Sequence, residues 1–309
     1  MRIMVTGGAG FIGSNVVDAY IDAGHQLVVI DNLSTGHEYN LNPEARFIQS
    51  DVQNIELQNI FEEFKPEVVN HHAAHIDLRR SVQDPMLDAQ SNILGTLNLL
   101  KLANEHGVKK FIFSSTGGAI YGEPDELPAS EATNPVPLSP YGAGKLACEH
   151  YIRIWGHLFG INYTIFRYPN VFGPRQHPKG EAGVVAIFSL QILQGQNPKI
   201  FGDGTKTRDY LYVADVVKAN LLALESSSNA VMNLGWGREV SDRLVFDTIS
   251  SALDYKLDPE YVSVRPGEVK RISLDSKLAR EVLDWEPDVT FEEGITKAVQ
   301  FYCETEEKY

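Results

Sequence analysis

Tyr141 and Lys145 stand four residues apart in "SPYGAGKLACEHY". On a helix that spacing puts both side chains on one face. A lysine ammonium beside a phenol favours the phenolate, so Tyr141 could act as a base well below the ordinary phenol pKa. Two solvated residues on a helix satisfy the same spacing, so the pair alone decides nothing. Upstream, "FIFSST" runs into Ser114, Ser115 and Thr116, with Thr116 lying 25 residues before Tyr141. An apolar run that ends in hydroxyls is a strand exit. In open parallel sheets ligands bind outside the carboxyl ends of strands, where a hydroxyl can bond a substrate alcohol.

A second stretch handles phosphate. "MVTGGAGFIGSNVV" places Gly7, Gly10 and Gly13 at G-x-x-G-x-x-G spacing between an apolar strand and a helix. The early glycines permit a tight turn and close approach of a pyrophosphate, and the last lets the helix pack on its strand. The phosphates then face the positive helix N-terminus. Asp31 ends the next apolar run, 18 residues after Gly13. A carboxylate there accepts from an adenosine ribose diol and repels a 2′-phosphate, which favours NAD over NADP. An Asx turn in "DNLSTG" is the competing reading of Asp31.

The elements that must position these groups follow from periodicity. Strands are expected at residues 2–5, 26–30, 45–49, 68–71, 110–114 and 162–167. Helices are expected at 11–23, 55–64, 88–105 and 141–159, with Gly24 and Gly107 as stops. This alternation predicts an α/β fold with a Rossmann-like, doubly wound parallel sheet. After Tyr168 the pattern turns irregular. We expect a dinucleotide-binding domain over 1–172, to which 205–239 return. A smaller α/β substrate lobe would comprise 173–204 and 240–287, and 288–309 would close the chain as a helix.

Composition narrows the class. The 309 residues carry a net charge of −14 and are 43% hydrophobic. An acidic surface disfavours nucleic acid and anionic membranes as partners. No apolar run reaches the length of a membrane span, and Met1-Arg2 leads straight into a strand, so neither a membrane nor a signal peptide is expected. Two cysteines, Cys148 and Cys303, lack ligand spacing and suit a reduced, cytoplasmic protein.

"TGGAGFIG", "DNLSTG", "SSTGGAIYG", "SPYGAGK", "RYPNVFGPRQ", "FGDGTKTRDYLYV", "NLGWG" and "RPGE" occur in this order. Together they resemble the extended short-chain dehydrogenase/reductase family and, within it, the UDP-glucose (UDP-galactose) 4-epimerases. The likeness covers essentially the whole chain. It implies NAD as cofactor, a UDP-sugar as substrate and a homodimer built on two helices of each subunit. It implies that Gly7, Gly10, Phe11, Ile12 and Gly13 line the pyrophosphate, and that Asp31, Asn32 and Ser34 hold the adenosine half. Asp51 and Val52 would lie beside the adenine, with Ala73, Ala74 and Tyr168 near the cofactor. Thr116, Tyr141 and Lys145 would be the catalytic set. Asn170, Arg208 and Arg265 would hold the sugar nucleotide's diphosphate, Val184, Val185, Ile200 and Phe201 the uridine side, and Glu268 its ribose.

The implied reaction inverts C4 by transient oxidation to a 4-keto sugar and hydride return. Tyr141 would take the C4 hydroxyl proton, Lys145 would hold the ribose diol, and Thr116 would bond the C4 oxygen. Sister dehydratases usually carry an acid and a base just after the Thr, where this chain has Gly117 and Gly118. Decarboxylases usually carry a Glu there. Some members have a Lys where this chain has Ile76, with Arg79 and Arg80 nearby. His71, His72 and His75 cluster at a strand end, but the implied chemistry needs no metal. Ile272 stands where an aromatic excludes and a small residue admits an N-acetyl group at sugar C2, so some acceptance of UDP-N-acetyl sugars is expected. Uronic acid sugars, a reductase, and a dead-site NAD-sensing protein are the alternatives. For the dimer face the helices offer Leu97, Leu100, Ile152 and Trp155, which could equally pack on the sheet.

Overall fold

The computed structural model describes residues 1–178, 183–264 and 269–308. Its centre is a sheet built by alternation. Strand β1 (Arg2–Thr6) leads to helix α1 (Phe11–Asp22), then β2 (Gln26–Asp31), β3 (Arg46–Gln49), α2 (Leu57–Phe64) and β4 (Val68–His71). Short helices α3 (Leu78–Gln83) and α4 (Pro85–Ala89) precede α5 (Gly95–Glu105). Next come β5 (Lys110–Thr116), α6 (Gly117–Ile120), the long α7 (Pro140–Phe159) and β6 (Asn162–Tyr168).

After β6 the elements shorten. They run β7 (Asn170–Phe172), α8 (Val184–Leu193), β8 (Lys199–Phe201), β9 (Thr207–Arg208), β10 (Tyr210–Tyr212), α9 (Val213–Glu225) and β11 (Ala230–Asn233). The chain ends with β12 (Val240–Ser241), α10 (Asp242–Ala252), β13 (Glu260–Val262), α11 (Lys277–Leu283) and α12 (Phe291–Thr305).

Among the described residues, seven parallel strands stand in the order β11-β6-β5-β4-β1-β2-β3. The order reverses between β1 and β4, and the crevice for a ligand opens at that switch point. Strand residues alternate between two cores. Ile3, Val5, Val29, Ile112 and Phe166 pack with Val16, Val17 and Tyr20 of α1 and Val216 and Ala219 of α9. Met4, Val28, Val69, Phe113 and Ile165 pack with Phe61 of α2, Leu99 of α5 and Ile152 of α7. Strand β11, within the stretch 205–239, lies beside β6 at the edge of this sheet. Strands β8 and β13 pair with each other, as do β9 and β12, outside the main sheet.

One expectation changes. The single helix over 88–105 is interrupted by a π-turn at Gln90–Leu94. There the Asn92 carbonyl accepts from Thr96 Oγ1 at 2.7 Å and Cys148 Sγ at 3.3 Å, which holds the wide turn open. Leu100 and Ile152 are buried on the sheet, and Leu97 and Trp155 are half-buried. The large apolar side chains that α7 leaves exposed are Ile154, Leu158 and Phe159, with Leu94 on the neighbouring turn.

Candidate active site

The glycine loop makes three close approaches. Gly7 lies at φ +72°, and a Cβ there would sit 2.5 Å from the Ala73 nitrogen. A Cβ on Gly13 would sit 2.2 Å from the Gly7 oxygen. Only glycine lets α1 start this close to its strand. Gly10 is the N-cap and supplies no side chain, and the first turn of α1 carries no acidic residue. A Cβ on Gly10 would meet only the Gly7 oxygen, at 3.2 Å. This uncapped helix end, with Phe11, Ile12 and Gly13 in its first turn, fits a pyrophosphate. Phe11 is buried and Ile12 half-buried.

At the end of β2, Asp31 is buried and aimed by the backbone. Its oxygens accept from Ala9 N at 3.0 Å and Leu33 N at 2.8 Å. Burial pushes its pKa up, against those two bonds and the nearby His37. A carboxylate has about four lone-pair sites, so room for a ribose diol remains. Asn32 donates to Asp51 at 2.9 Å, and the Ser34 nitrogen donates to Asn32 Oδ1 at 3.0 Å. Val52 is buried, and its carbonyl accepts from Asn98. Ala73 and Ala74 follow β4 after His72 and are half-buried. These groups fit an adenine dinucleotide without a 2′-phosphate. Asp31→Ala is expected to cut NAD affinity roughly tenfold to a hundredfold, the loss of one charged hydrogen-bonding set. Titration with NAD and NADP checks this, since discrimination between them should narrow in the variant.

Thr116 ends β5 directly beside Tyr168 of β6. The Tyr168 hydroxyl is buried and accepts from Asn220 Nδ2 at 3.0 Å; burial raises its pKa. Helix α7 is brought to this edge by its capping. Ser139 accepts from Gly142 N at 3.1 Å, and Pro140 takes the first turn. Gly142 then lies so close to α6 that a Cβ would be 2.4 Å from the Ala119 oxygen. Because α6 starts right after Thr116, this contact draws Tyr141 towards the Thr116 strand end.

Tyr141 is half-buried and Lys145 is 3% exposed. Without ligand the phenol is not lowered as the spacing suggested. Burial raises its pKa, and the charges of Asp88 and Cys148 add to this. Burial lowers the Lys145 pKa to about 8, with Cys148, Asp88 and Glu149 opposing. The Lys145 ammonium lies 4.5 Å over the Phe113 ring.

Asp88 was missing from the sequence reading. It is 1% exposed and accepts from Asn92 Nδ2 at 3.0 Å. A Cβ on Gly144 would be 3.2 Å from its Oδ2, so it faces α7 between Tyr141 and Lys145. Only its place in "DPMLDAQSN", after an Asp84 N-cap, hinted at an inward turn. The histidines are partly satisfied: among the described residues the buried His72 Nε2 and His75 Nδ1 lack a hydrogen-bond partner. His71 lies between Thr6 at 2.6 Å and Thr96 at 3.0 Å, and His72 meets Ser114 at 2.6 Å. His75 lies 3.6 Å from Asp88.

The lobe residues are placed less uniformly. Asn170 is half-buried, and a Cβ on Gly118 would lie 3.7 Å from its Oδ1 and 3.8 Å from Thr116 Oγ1. Arg208 is half-buried, and its Nη1 donates to the Thr207 carbonyl at 2.7 Å. Val185 and Ile200 are buried in the core, while Val184 and Phe201 are half-buried. Arg265 and Glu268 lie outside the described residues. Ile272 is buried with Tyr121, Ala129, Val269 and Leu274. Arg79 and Arg80 are exposed at the start of α3.

Residues 3–235 match the model of the NAD dependent epimerase/dehydratase family. The chain is 44% identical to the UDP-glucose 4-epimerase of Mycolicibacterium smegmatis, over 98% of each chain. It superposes on the crystal structure of Thermotoga maritima UDP-glucose 4-epimerase with UDP-glucose at a TM-score of 0.97 and 47% identity, covering 99% of each. The Thermus thermophilus UDP-glucose 4-epimerase complex with NAD gives 0.93 at 41% identity, covering 98% of this chain and 99% of that one.

Proposed function

The chain belongs to the NAD dependent epimerase/dehydratase family, and from that premise we propose that it interconverts the C4 epimers of a UDP-hexose, UDP-galactose and UDP-glucose. The observation that carries the choice of reaction lies beside Thr116. A dehydratase needs a further acid and base there, and Gly117 and Gly118 offer none. At Gly117 a Cβ would be 2.4 Å from Leu274 Cδ1, so a side chain there requires the buried Leu274 to repack.

Bound NAD supplies the hydride acceptor and donor for C4. The protein's part is to hold and move a proton at the C4 oxygen. Tyr141 takes it from the hydroxyl of one epimer and gives it back to the other, and Thr116 bonds the same oxygen. Lys145 holds the cofactor's ribose diol and favours the phenolate. Arg208, Arg265 and Asn170 grip the diphosphate while the 4-keto sugar turns its other face. Guanidinium forks suit that grip because they bind phosphate bidentately.

Proton NMR of the purified protein with UDP-galactose tests this directly. New anomeric signals of UDP-glucose are expected, and activity before NAD is added reports retained cofactor. No conversion with NAD present sinks the reading. A parallel run with UDP-N-acetylgalactosamine measures what Ile272 admits.

The Lys145 proton adds a pH prediction. Its pKa in the folded chain is about 8, so the charge is present at pH 7 and is lost as pH rises through 8. At pH 9 roughly a tenth of the molecules keep it. NAD affinity of the cofactor-free protein should therefore fall by up to about tenfold from pH 7 to 9. The fall should vanish in Lys145→Met, and a pH-independent wild type would contradict the assigned role.

Among the described residues no helix is long and apolar enough to cross a membrane. We propose a homodimer in the cytoplasm; exposed Leu94, Ile154, Leu158 and Phe159 on neighbouring helical segments support the pairing alone. Sedimentation of the protein and of Leu158→Glu checks the pairing.

A further inference from the structure

One buried ion pair stands behind the site and is used by none of the steps above. Glu149 lies on α7 one turn beyond Lys145 and two beyond Tyr141. Arg167 ends one residue before Tyr168 on β6. Their side chains are 3% and 8% exposed. Arg167 Nη2 donates to Glu149 Oε2 at 2.6 Å, and Nε donates to Oε1 at 3.0 Å and Oε2 at 3.2 Å. Ser115, the residue before Thr116, donates to Oε1 at 2.5 Å. The pair therefore ties together β5, β6 and α7, the three elements that carry Thr116, Tyr168, Tyr141 and Lys145.

The same guanidinium reaches the other side of the pocket. Its Nη1 donates to the Tyr121 hydroxyl at 2.8 Å, and that hydroxyl donates to Asn233 Oδ1 at 2.8 Å. Asn233 Nδ2 donates to the Ala129 carbonyl at 2.9 Å, and Ala129 N donates to the Ser273 carbonyl at 2.8 Å. The Tyr121 ring packs with Ile272 and Leu274. A connected polar network thus runs from the catalytic helix to the wall that carries Ile272.

Stability is a weak reason for such a pair. Desolvating two charges costs several kcal/mol per ion, and well-packed apolar residues of similar volume often serve as well or better. What the apolar alternative lacks is direction: a bidentate fork fixes distance and angle between the elements it joins. We propose that Glu149 and Arg167 are positioning residues for C4 epimerisation, holding Tyr141, Lys145 and Thr116 in register with Tyr168 and with the Ile272 wall. The assignment rests on the function proposed above. A displacement of about 1 Å at reacting groups can cost about a hundredfold in rate.

The pair has a second readout that needs no turnover. Lys145 interacts electrostatically with Asp88 of α4, with His71 and His72 at the end of β4, and with Cys148 and Glu149 on its own helix. Removing the Glu149 charge takes away one of the groups that hold the Lys145 proton.

The experiment compares wild type, Glu149→Gln, and the double variant Glu149→Leu/Arg167→Met. At pH 7, Glu149→Gln should keep KM and NAD content near wild type while kcat falls about tenfold to a hundredfold. The pH midpoint of NAD binding should move below the wild-type value. The double variant should melt at or above wild type and still turn over slowly, which separates positioning from folding. Wild-type kcat in both variants overturns the proposal. So does a double variant that regains stability and activity together, because the pair is then structural alone. If wild type itself converts no UDP-hexose, the failure lies with the reaction, and the NAD-binding midpoint decides: a downward shift in Glu149→Gln supports the coupling, and an unchanged midpoint overturns it.

Discussion

Tyr141→Phe is expected to lower the rate of UDP-galactose conversion by roughly 10²- to 10⁴-fold, the ordinary worth of a positioned acid–base group. The change deletes one oxygen from a half-buried ring and leaves the packing of α7 on α6 untouched. Melting temperature and NAD content should therefore stay near wild type. The phenol is held above its ordinary pKa before ligands arrive, chiefly by burial and then by Asp88 and Cys148. Its activation must come with the bound cofactor and the Lys145 ammonium, so catalysis should need both. Following the anomeric protons at saturating substrate reads the loss in kcat directly. A variant within a few fold of wild type would remove Tyr141 from the role of base.

Gly13→Val should have an effect as large, through a different cause. A Cβ at Gly13 falls 2.2 Å from the Gly7 oxygen and 3.1 Å from Gly8 Cα, and both neighbours are backbone that cannot rotate away. Overpacking of this kind costs about 1–3 kcal/mol and moves the backbone. Here the movement separates the glycine loop from the start of α1, the place where a pyrophosphate would be held. The protein should melt lower, purify without NAD and show no conversion until NAD is in large excess. Gly10→Ala is the informative contrast. Gly10 has φ −80°, and its Cβ would meet only the Gly7 oxygen at 3.2 Å. It should keep its melting temperature and lose NAD affinity alone. Measuring both variants by thermal melting and NAD titration separates the role of packing from that of an open cradle. Equal melting losses in the two would show that Gly10 is also there for packing.

The sequence by itself determined whatever depends on neighbours along the chain. Alternating apolar runs place the first six strands of the sheet to within a few residues. The G-x-x-G-x-x-G spacing marks the turn where β1 enters α1, because only glycine tolerates those approaches. Four-residue spacing puts Tyr141 and Lys145 on one helix face. What required the tertiary structure is everything that joins distant segments. Thr116 and Tyr168 become cross-strand neighbours only when β6 pairs with β5. Asp88 is buried where Asn92 of the following π-turn bonds it, and propensity carries no signal for that turn. Leu100 and Ile152 go to the sheet while Ile154 and Leu158 stay exposed, a choice set by which face of α5 and α7 the strands meet. Glu149 and Arg167 are of types that are almost never fully buried unless paired. They are buried because each neutralises the other while Ser115 and Tyr121 complete their hydrogen bonds, and the 17 residues between them must fold before they meet.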